Sequence, residues 1–97
     1  MREKELERRL VAGIKNLGGK AYKWESPGNA GVPDRIVVLP GLPVIFVEMK
    51  TEKGKLTSLQ EVQINKLLEL GQDVIVLYGI QAVDDFLLAM GGKLNEN

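Results

Sequence analysis

The chain has 97 residues, of which 44% are hydrophobic and 27% are charged, a composition typical of a globular protein. This length fits one domain, which we expect to span residues 1–97. The chain has no cysteine and no histidine, which excludes disulfides, a Cys/His zinc site and Ser-His or Cys-His catalysis. Any catalysis would therefore use carboxylates, lysine or a hard cation.

Charge is distributed unevenly along the chain, although the formal net charge is zero. Residues 1–55 contain 11 Lys/Arg and 7 Asp/Glu, whereas residues 56–97 contain 2 and 6. This asymmetry favours a basic surface in the first half, with scatter in a short chain as the alternative. We see no signal peptide and no apolar run near the ~20 residues of a membrane span, so we expect no membrane partner and a cytoplasmic protein.

Hydrophobic spacing predicts the element order α-β-β-β-α-β-α. In chain order these are a helix at 3–17, strands at 20–25, 35–39 and 44–49, a helix from Thr57 to Gly71, a strand at 73–78 and a helix at 81–90. The strand at 73–78 is nearly all apolar, which predicts burial on both sides. We expect a mixed sheet with helices on its faces.

The helices carry recognisable end signals. Thr57 and Gln60 match a capping box, and Gly91-Gly92 should close the last helix. The apolar face of the second helix is predicted from four residues: Leu59, Val62, Leu67 and Leu70.

The strands at 35–39 and 44–49 should form a hairpin around Pro40-Gly41-Leu42-Pro43. Pairing about a midpoint near 41.5 puts Asp34 opposite Met49. Glu48 and Lys50 are two residues apart in a strand, so they project to the same side.

Two carboxylates and a lysine should therefore converge at the open end of this hairpin. Close carboxylates repel, and an all-oxygen ligand set favours Mg²⁺ or Mn²⁺ over zinc. Such an ion can polarise a phosphate and acidify a bound water, while Lys50 orients that water or stabilises developing charge. The alternative is a structural salt bridge from Lys50 to Glu48 or Asp34.

The flanking residues make a family resemblance specific. Val-Pro-Asp-Arg-Ile-Val around Asp34, Phe-Val-Glu-Met-Lys ending at Lys50 and Leu-Thr-Ser-Leu-Gln ending at Gln60 resemble the VRR-NUC family, the virus-type replication-repair nucleases of the PD-(D/E)xK superfamily. The resemblance covers about residues 3 to 80. It implies a restriction-endonuclease-like α/β fold and metal-dependent hydrolysis of DNA.

The resemblance also implies residue roles. Asp34, Glu48 and the backbone carbonyl of Met49 would bind Mg²⁺ or Mn²⁺, and Lys50 would position the attacking water. Gln60 would hold water or phosphate, with a role as the capping partner of Thr57 as the alternative.

The family uses a glutamate from the first helix as well. At about 100° per residue, Glu3 lies roughly 25° from the centre of the apolar stripe, Glu7 roughly 65° and Glu5 roughly 135°. Glu3 is therefore the first choice and Glu7 the second, while Glu5 should face solvent. The alternative is a solvated charge run at a helix start.

Four cations are candidate DNA contacts, with ordinary surface residues as the alternative: Lys53, Lys55, Arg35 and Lys23. Tyr22 and Trp24 are more typical of a core or a dimer interface than of base stacking.

Small members of the family resemble Holliday junction resolvases, so we expect a homodimer acting on branched DNA near the nucleoid of a bacterial or phage-infected cell. A non-catalytic DNA-binding or assembly module and a nickase without structure selectivity remain the alternatives.

Overall fold

The computed structural model describes residues 1–96, and within them three helices and four strands. They are α1 (Glu3–Asn16), β1 (Lys20–Lys23), β2 (Arg35–Val38), β3 (Ile45–Lys50), α2 (Ser58–Glu69), β4 (Asp73–Tyr78) and α3 (Gly79–Asn95). This confirms the predicted α-β-β-β-α-β-α order and the mixed sheet flanked by helices. No helix within residues 1–96 has both the length and the apolar character needed to cross a membrane.

The strands form one sheet in the order β1-β2-β3-β4. The first two pairings are antiparallel, and β3 pairs with β4 in parallel. A parallel neighbour requires a crossover, and α2 provides it. β4 is therefore an edge strand between α2 and α3, and only Leu77 in it is buried, contrary to the predicted burial of the whole strand on both sides.

The core lies where α1 and α3 pack together against one face of the sheet. Leu6, Leu10 and Ile14 of α1 are fully buried, and each such side chain contributes about 1.5–3 kcal/mol. The remaining buried core residues are Ala21, Val37, Leu39, Val47, Met49, Leu77, Val83, Phe86 and Met90.

The predicted apolar face of α2 is wrong for three of its four residues. Leu59, Val62 and Leu70 are exposed by 56%, 46% and 73%, whereas Ile64 is buried. The inward face follows Gln60, which contacts the sheet, and Ile64 lies one turn later on the same side. The predicted capping box is present, since Thr57 and Gln60 exchange hydrogen bonds of 2.9 and 3.2 Å.

The hairpin register differs by one residue from the prediction. Arg35 lies opposite Val47, so continuing the same register brings Asp34 level with Glu48 rather than with Met49. The two carboxylates are thus adjacent across the strands.

The shape of the turn explains the shift. Leu42 N–H donates to the Leu39 carbonyl at 3.3 Å, and Gly41 takes a positive φ of 69°, as the third residue of a type II turn does. The turn is therefore centred between Pro40 and Gly41, and one extra residue on the β3 side sets the register midpoint at Gly41. Pro43 has no N–H to donate, and β3 begins only at Ile45.

The predicted end of the last helix at Gly91-Gly92 is also wrong, because α3 continues to Asn95. Each helical glycine costs about 1 kcal/mol relative to alanine. Leu94 packs against the core from the added turn, and this contact offsets part of that cost.

Candidate active site

Three carboxylates meet at one end of the sheet. Glu3 comes from the first turn of α1, Asp34 immediately precedes β2, and Glu48 lies in β3. One oxygen from each lies within 4.8 Å of the others. Three negative groups at this spacing repel one another unless a proton or a cation lies between them.

Glu48 is the buried member of the cluster, with 1% of its surface exposed. Its Oε2 accepts a hydrogen bond from Gln60 Nε2 at 3.2 Å and lies 3.8 Å from Lys50 Nζ. Its Oε1 accepts no hydrogen bond from an N–H or O–H group among residues 1–96. A buried carboxylate oxygen without a partner is costly, so this atom is available to a ligand.

Burial raises the pKa of Glu48 to about 8, and the nearby Asp34 carboxylate adds to the rise by repulsion and by hydrogen bonding. Lys50 opposes the rise, and Glu3 adds a smaller repulsion. Without a cation, the Glu48 carboxyl therefore carries a proton at neutral pH.

Asp34 is held in place by the backbone. Its Oδ2 accepts the Met49 N–H at 2.8 Å, and its carbonyl accepts the Trp24 N–H at 2.9 Å. Both bonds tie the residue to neighbouring strands, so its carboxylate is fixed beside β3. Met49 thus contacts Asp34 through its N–H group.

Lys50 lies beside Glu48, as two residues of one strand must when they share a side. Its side chain is 11% exposed. The predicted salt bridge with Glu48 is present at 3.8 Å. One lysine does not balance three ionised carboxylates, however, so the cluster needs the Glu48 proton or a cation besides this contact.

Gln60 caps α2 as the alternative reading predicted, and it also reaches the carboxylate cluster. Its Oε1 accepts the Thr57 N–H, and its Nε2 donates to Glu48. The cap therefore orients the amide so that its donor end faces the carboxylate.

The other glutamates of α1 are engaged elsewhere. Glu7 Oε1 pairs with Arg35 Nε at 2.9 Å, and Glu5 pairs with Arg2 at 3.1 Å. The bond to Arg2 lowers the pKa of Glu5. The structure thus brings Glu3 into the carboxylate cluster and places Glu7 beside it.

The predicted DNA contacts lie in two places. Lys53 and Lys55 are exposed in the loop after β3. Lys23 is exposed at the end of β1, 3.6 Å from Glu25. Arg35 is less available, because besides Glu7 it donates to the Ala21 carbonyl at 3.3 Å.

Sequence reasoning missed two supports of the site. The Glu7–Arg35 pair joins α1 to β2 across 28 positions of the chain, which no local pattern reveals. Gly31 has a φ of 92°, and a Cβ there would lie 2.6 Å from the Leu59 backbone. The sequence signal for this support was a glycine just before Pro33-Asp34, because glycine accepts a positive φ and has no Cβ to clash with a neighbouring backbone.

Oxygen ligands surround this site, which suits a hard divalent cation. The residues able to hold one are Glu3, Asp34 and Glu48, and the unpartnered Glu48 Oε1 fits that use.

Known proteins resemble this chain in sequence and in structure. It is 47% identical over 77 residues to "Putative nuclease p44" of Acyrthosiphon pisum secondary endosymbiont phage 1, covering 79% of this chain and 83% of that protein. A solved structure named "VRR_NUC domain" matches with a TM-score of 0.82 and 28% identity over 88% of this chain and 92% of its own. The chain belongs to the VRR-NUC family of nucleases.

Two further solved structures share the fold of this VRR-NUC chain. A "VRR_NUC domain protein" matches with a TM-score of 0.72 and 17% identity, over 91% of this chain and 86% of its own. Hjc of Archaeoglobus fulgidus, a Holliday junction resolvase, matches with a TM-score of 0.53 and 21% identity, over 73% of this chain and 64% of its own. No protein-family model matches the chain.

Proposed function

We propose that this VRR-NUC protein is an endonuclease that hydrolyses phosphodiester bonds in DNA with Mg²⁺ or Mn²⁺. The observation that carries the proposal is the buried Glu48 carboxyl, with one unpartnered oxygen, packed against Asp34 and Lys50. The 47% identical phage protein bears the name of a nuclease, which supports the reaction class.

The metal ligands would be Asp34, Glu48, the backbone carbonyl of Met49 and Glu3. When bound, the divalent cation polarises the scissile phosphate and acidifies the attacking water. Glu48 must lose its proton to serve as a ligand, and the neighbouring Lys50 favours that loss. The Met49 N–H holds Asp34 still, which reduces the movement needed on binding.

Lys50 would orient the attacking water and stabilise negative charge that develops on the phosphate. The Lys50 side chain is largely shielded from bulk water. A charge in such a shielded site interacts more strongly with the phosphate than a charge at the surface does. Gln60 would hold Glu48 in orientation and contact water or phosphate through its amide. Lys53 and Lys55 would contact the DNA backbone near the cut.

The proposed substrate is branched DNA, cut by a homodimer. A two-fold dimer presents two active sites to a two-fold-symmetric junction. The resolvase Hjc has a related fold, which makes a four-way junction the first substrate to test. The proposed unit is one nuclease domain spanning residues 1–97, acting on DNA in the cytoplasm of a bacterial or phage-infected cell.

An uncovered sheet face supports dimerisation. Opposite the core, one face carries Tyr22, Ile36, Val38 and Phe46 in register. Tyr22 is 49% exposed and Val38 37%, and Trp24 packs against Phe46 with ring centroids 5.2 Å apart. We call these five residues the apolar sheet patch; contiguous apolar surface of this kind is typical of protein interfaces.

The decisive experiment is cleavage of a four-way junction with Mg²⁺ or Mn²⁺ by wild type, Lys50→Ala and Asp34→Ala. We expect paired symmetric cuts from wild type and loss of at least about 100-fold in both variants. Lys66→Ala, an exposed lysine of α2, is the control and should cut normally.

Flap, nicked and linear substrates complete the comparison. Equal cutting of all of them would contradict junction selectivity and indicate a nickase. Junction binding without cutting under any metal condition would contradict catalysis and indicate a binding module.

A further inference from the structure

A second charged surface lies beside the carboxylate cluster. A groove of about 680 Å³ runs between α1 and the ends of β1 and β2. Its cationic lining consists of Lys4, Arg8, Lys15, Lys23 and Arg35, and Glu7 is its only carboxylate. Because Glu7 is bonded to Arg35, the groove is strongly positive in a chain with no net charge.

Three of these cations form one line along α1. At about 100° per residue, Lys4, Arg8 and Lys15 fall within roughly 40° of one another around the helix. All three are exposed, and none has a carboxylate within ion-pair distance among residues 1–96. An acid four residues from a base stabilises a helix, but Lys4 is followed at that spacing by Arg8, and like charges there repel.

The spacing of the line matches a nucleic-acid strand. From Lys4 to Lys15 the helix rises about 16 Å. Along the axis of a duplex, one strand rises about 3.4 Å per phosphate, so the line has the length of about five base-pair steps of a duplex parallel to α1. Val11 and Ala12 form the floor between the cations, and these short apolar side chains leave room for the sugars of a backbone.

The groove begins at the catalytic end of the molecule. Lys4 follows Glu3 of the carboxylate cluster, and Arg35 follows Asp34. A DNA strand that leaves the carboxylate cluster along α1 therefore passes directly into the groove.

We propose that this groove, here named the α1 groove, binds the phosphodiester backbone of the DNA strand flanking the cut. Lys4, Arg8, Lys15 and Lys23 contact successive phosphates, while Arg35 is retained by Glu7 and shapes the wall. The inference rests on the proposed DNA endonuclease function and adds the path of the substrate.

The test compares Lys15→Ala with Lys66→Ala. Both are exposed lysines in the last turn of a helix, α1 and α2 respectively, so both substitutions remove the same favourable charge from a helix end. Junction binding is measured by fluorescence anisotropy in EDTA over a range of NaCl concentrations, followed by cleavage kinetics with Mn²⁺.

Loss of one phosphate contact reduces the slope of log K against log salt by about 0.9. Extrapolated from 1 M salt, where this contribution vanishes, that change corresponds to about an eight-fold loss of affinity at 0.1 M salt. We expect this change for Lys15→Ala and none for Lys66→Ala. Lys15→Ala should raise KM and leave kcat unchanged, because Lys15 is remote from the carboxylates. Trimming the DNA by about five nucleotides on one side of the cut should remove the difference between the variants.

The outcomes separate this inference from the proposed function. Normal cutting by wild type with equal salt slopes for the two variants overturns the α1 groove and leaves the endonuclease intact. A reduced slope for Lys15→Ala in a protein that never cuts supports the groove and overturns catalysis. Absence of DNA binding by wild type overturns both.

Discussion

The buried carboxyl of Glu48 should make the metal-free protein less stable than its Glu48→Gln variant. Folding raises the pKa of Glu48 from 4.5 to about 8, chiefly by burial. A group whose pKa is raised on folding binds more protons in the folded state, so wild-type stability falls as pH rises between these two values. Glutamine does not titrate, so the stability of the Glu48→Gln variant lacks this pH dependence.

The magnitude follows from the size of the shift. At pH 7 the unfolded chain must take up a proton to fold, at a cost of up to about 3 kcal/mol, rising to about 5 kcal/mol near pH 9. Glutamine removes this cost and keeps the contacts, because its oxygen can accept from Gln60 and its amide can donate to Asp34. For a chain this small, about 3 kcal/mol corresponds to a rise of at least about 10 °C in Tm.

The assay is thermal unfolding in EDTA from about pH 5 to pH 9, with Glu61→Gln as an exposed control. We expect the gain of Glu48→Gln to grow with pH from about 1 kcal/mol at pH 5, and Glu61→Gln to stay within about 0.5 kcal/mol of wild type. A Glu48→Gln variant that melts below wild type at every pH would refute the reasoning, since it would mean that the charged carboxylate is stabilised without a cation.

Three further predictions address the metal, the interface and the loop. Because a metal must displace the proton of Glu48, the affinity for Mn²⁺ in calorimetry should rise about tenfold per pH unit between pH 6 and pH 8, and a flat profile would contradict a role for Glu48 as ligand. Tyr22→Glu, which puts a charge in the apolar sheet patch, should give a monomer in sedimentation, while Leu88→Glu, 76% exposed on α3, should sediment like wild type; equal behaviour would exclude this face. Gly31→Ala should lose about 2 kcal/mol or more of stability in urea unfolding, because it needs a positive φ and clashes with the Leu59 backbone; an unchanged midpoint would show that the loop is free to move.

Local patterns predicted the order of the elements and which site residues lie together, because the deciding features lie close together in sequence. Alternation, β-branched residues and an apolar run identified the strands, and the i, i+2 relation put Glu48 and Lys50 on one side. The geometry of a helical wheel favoured Glu3 over Glu7, and the structure brings Glu3 into the cluster.

The errors arose where a long-range contact outweighs a local pattern. The inward face of α2 is decided by the bond from Gln60 to Glu48, and this bond turns Leu59 outward although Leu59 is apolar. Leu94 packing extends α3 through two glycines that usually end a helix. The hairpin register depended on which residues of a proline-rich turn close the bend, and the composition of the turn does not determine this.

The one-residue register difference has a functional consequence. In the predicted register Asp34 faced Met49, which would have placed its side chain on the opposite face of the sheet from Glu48. In the observed register Asp34 is level with Glu48, so repulsion between the carboxylates adds to burial in raising the pKa of Glu48.

This proximity links catalysis to stability in the proposed enzyme. Domains are usually stable by about 5–15 kcal/mol, so a cost of about 3 kcal/mol at pH 7 is a large fraction of the total. A bound cation would offset that cost, since a ligand at about 100 times its Kd adds about 2.7 kcal/mol. Mn²⁺ should therefore raise the Tm of wild type and flatten its pH dependence, but do neither for Glu48→Gln. If the two proteins gain equally from Mn²⁺, the ion binds elsewhere and the carboxylate cluster is not the metal site.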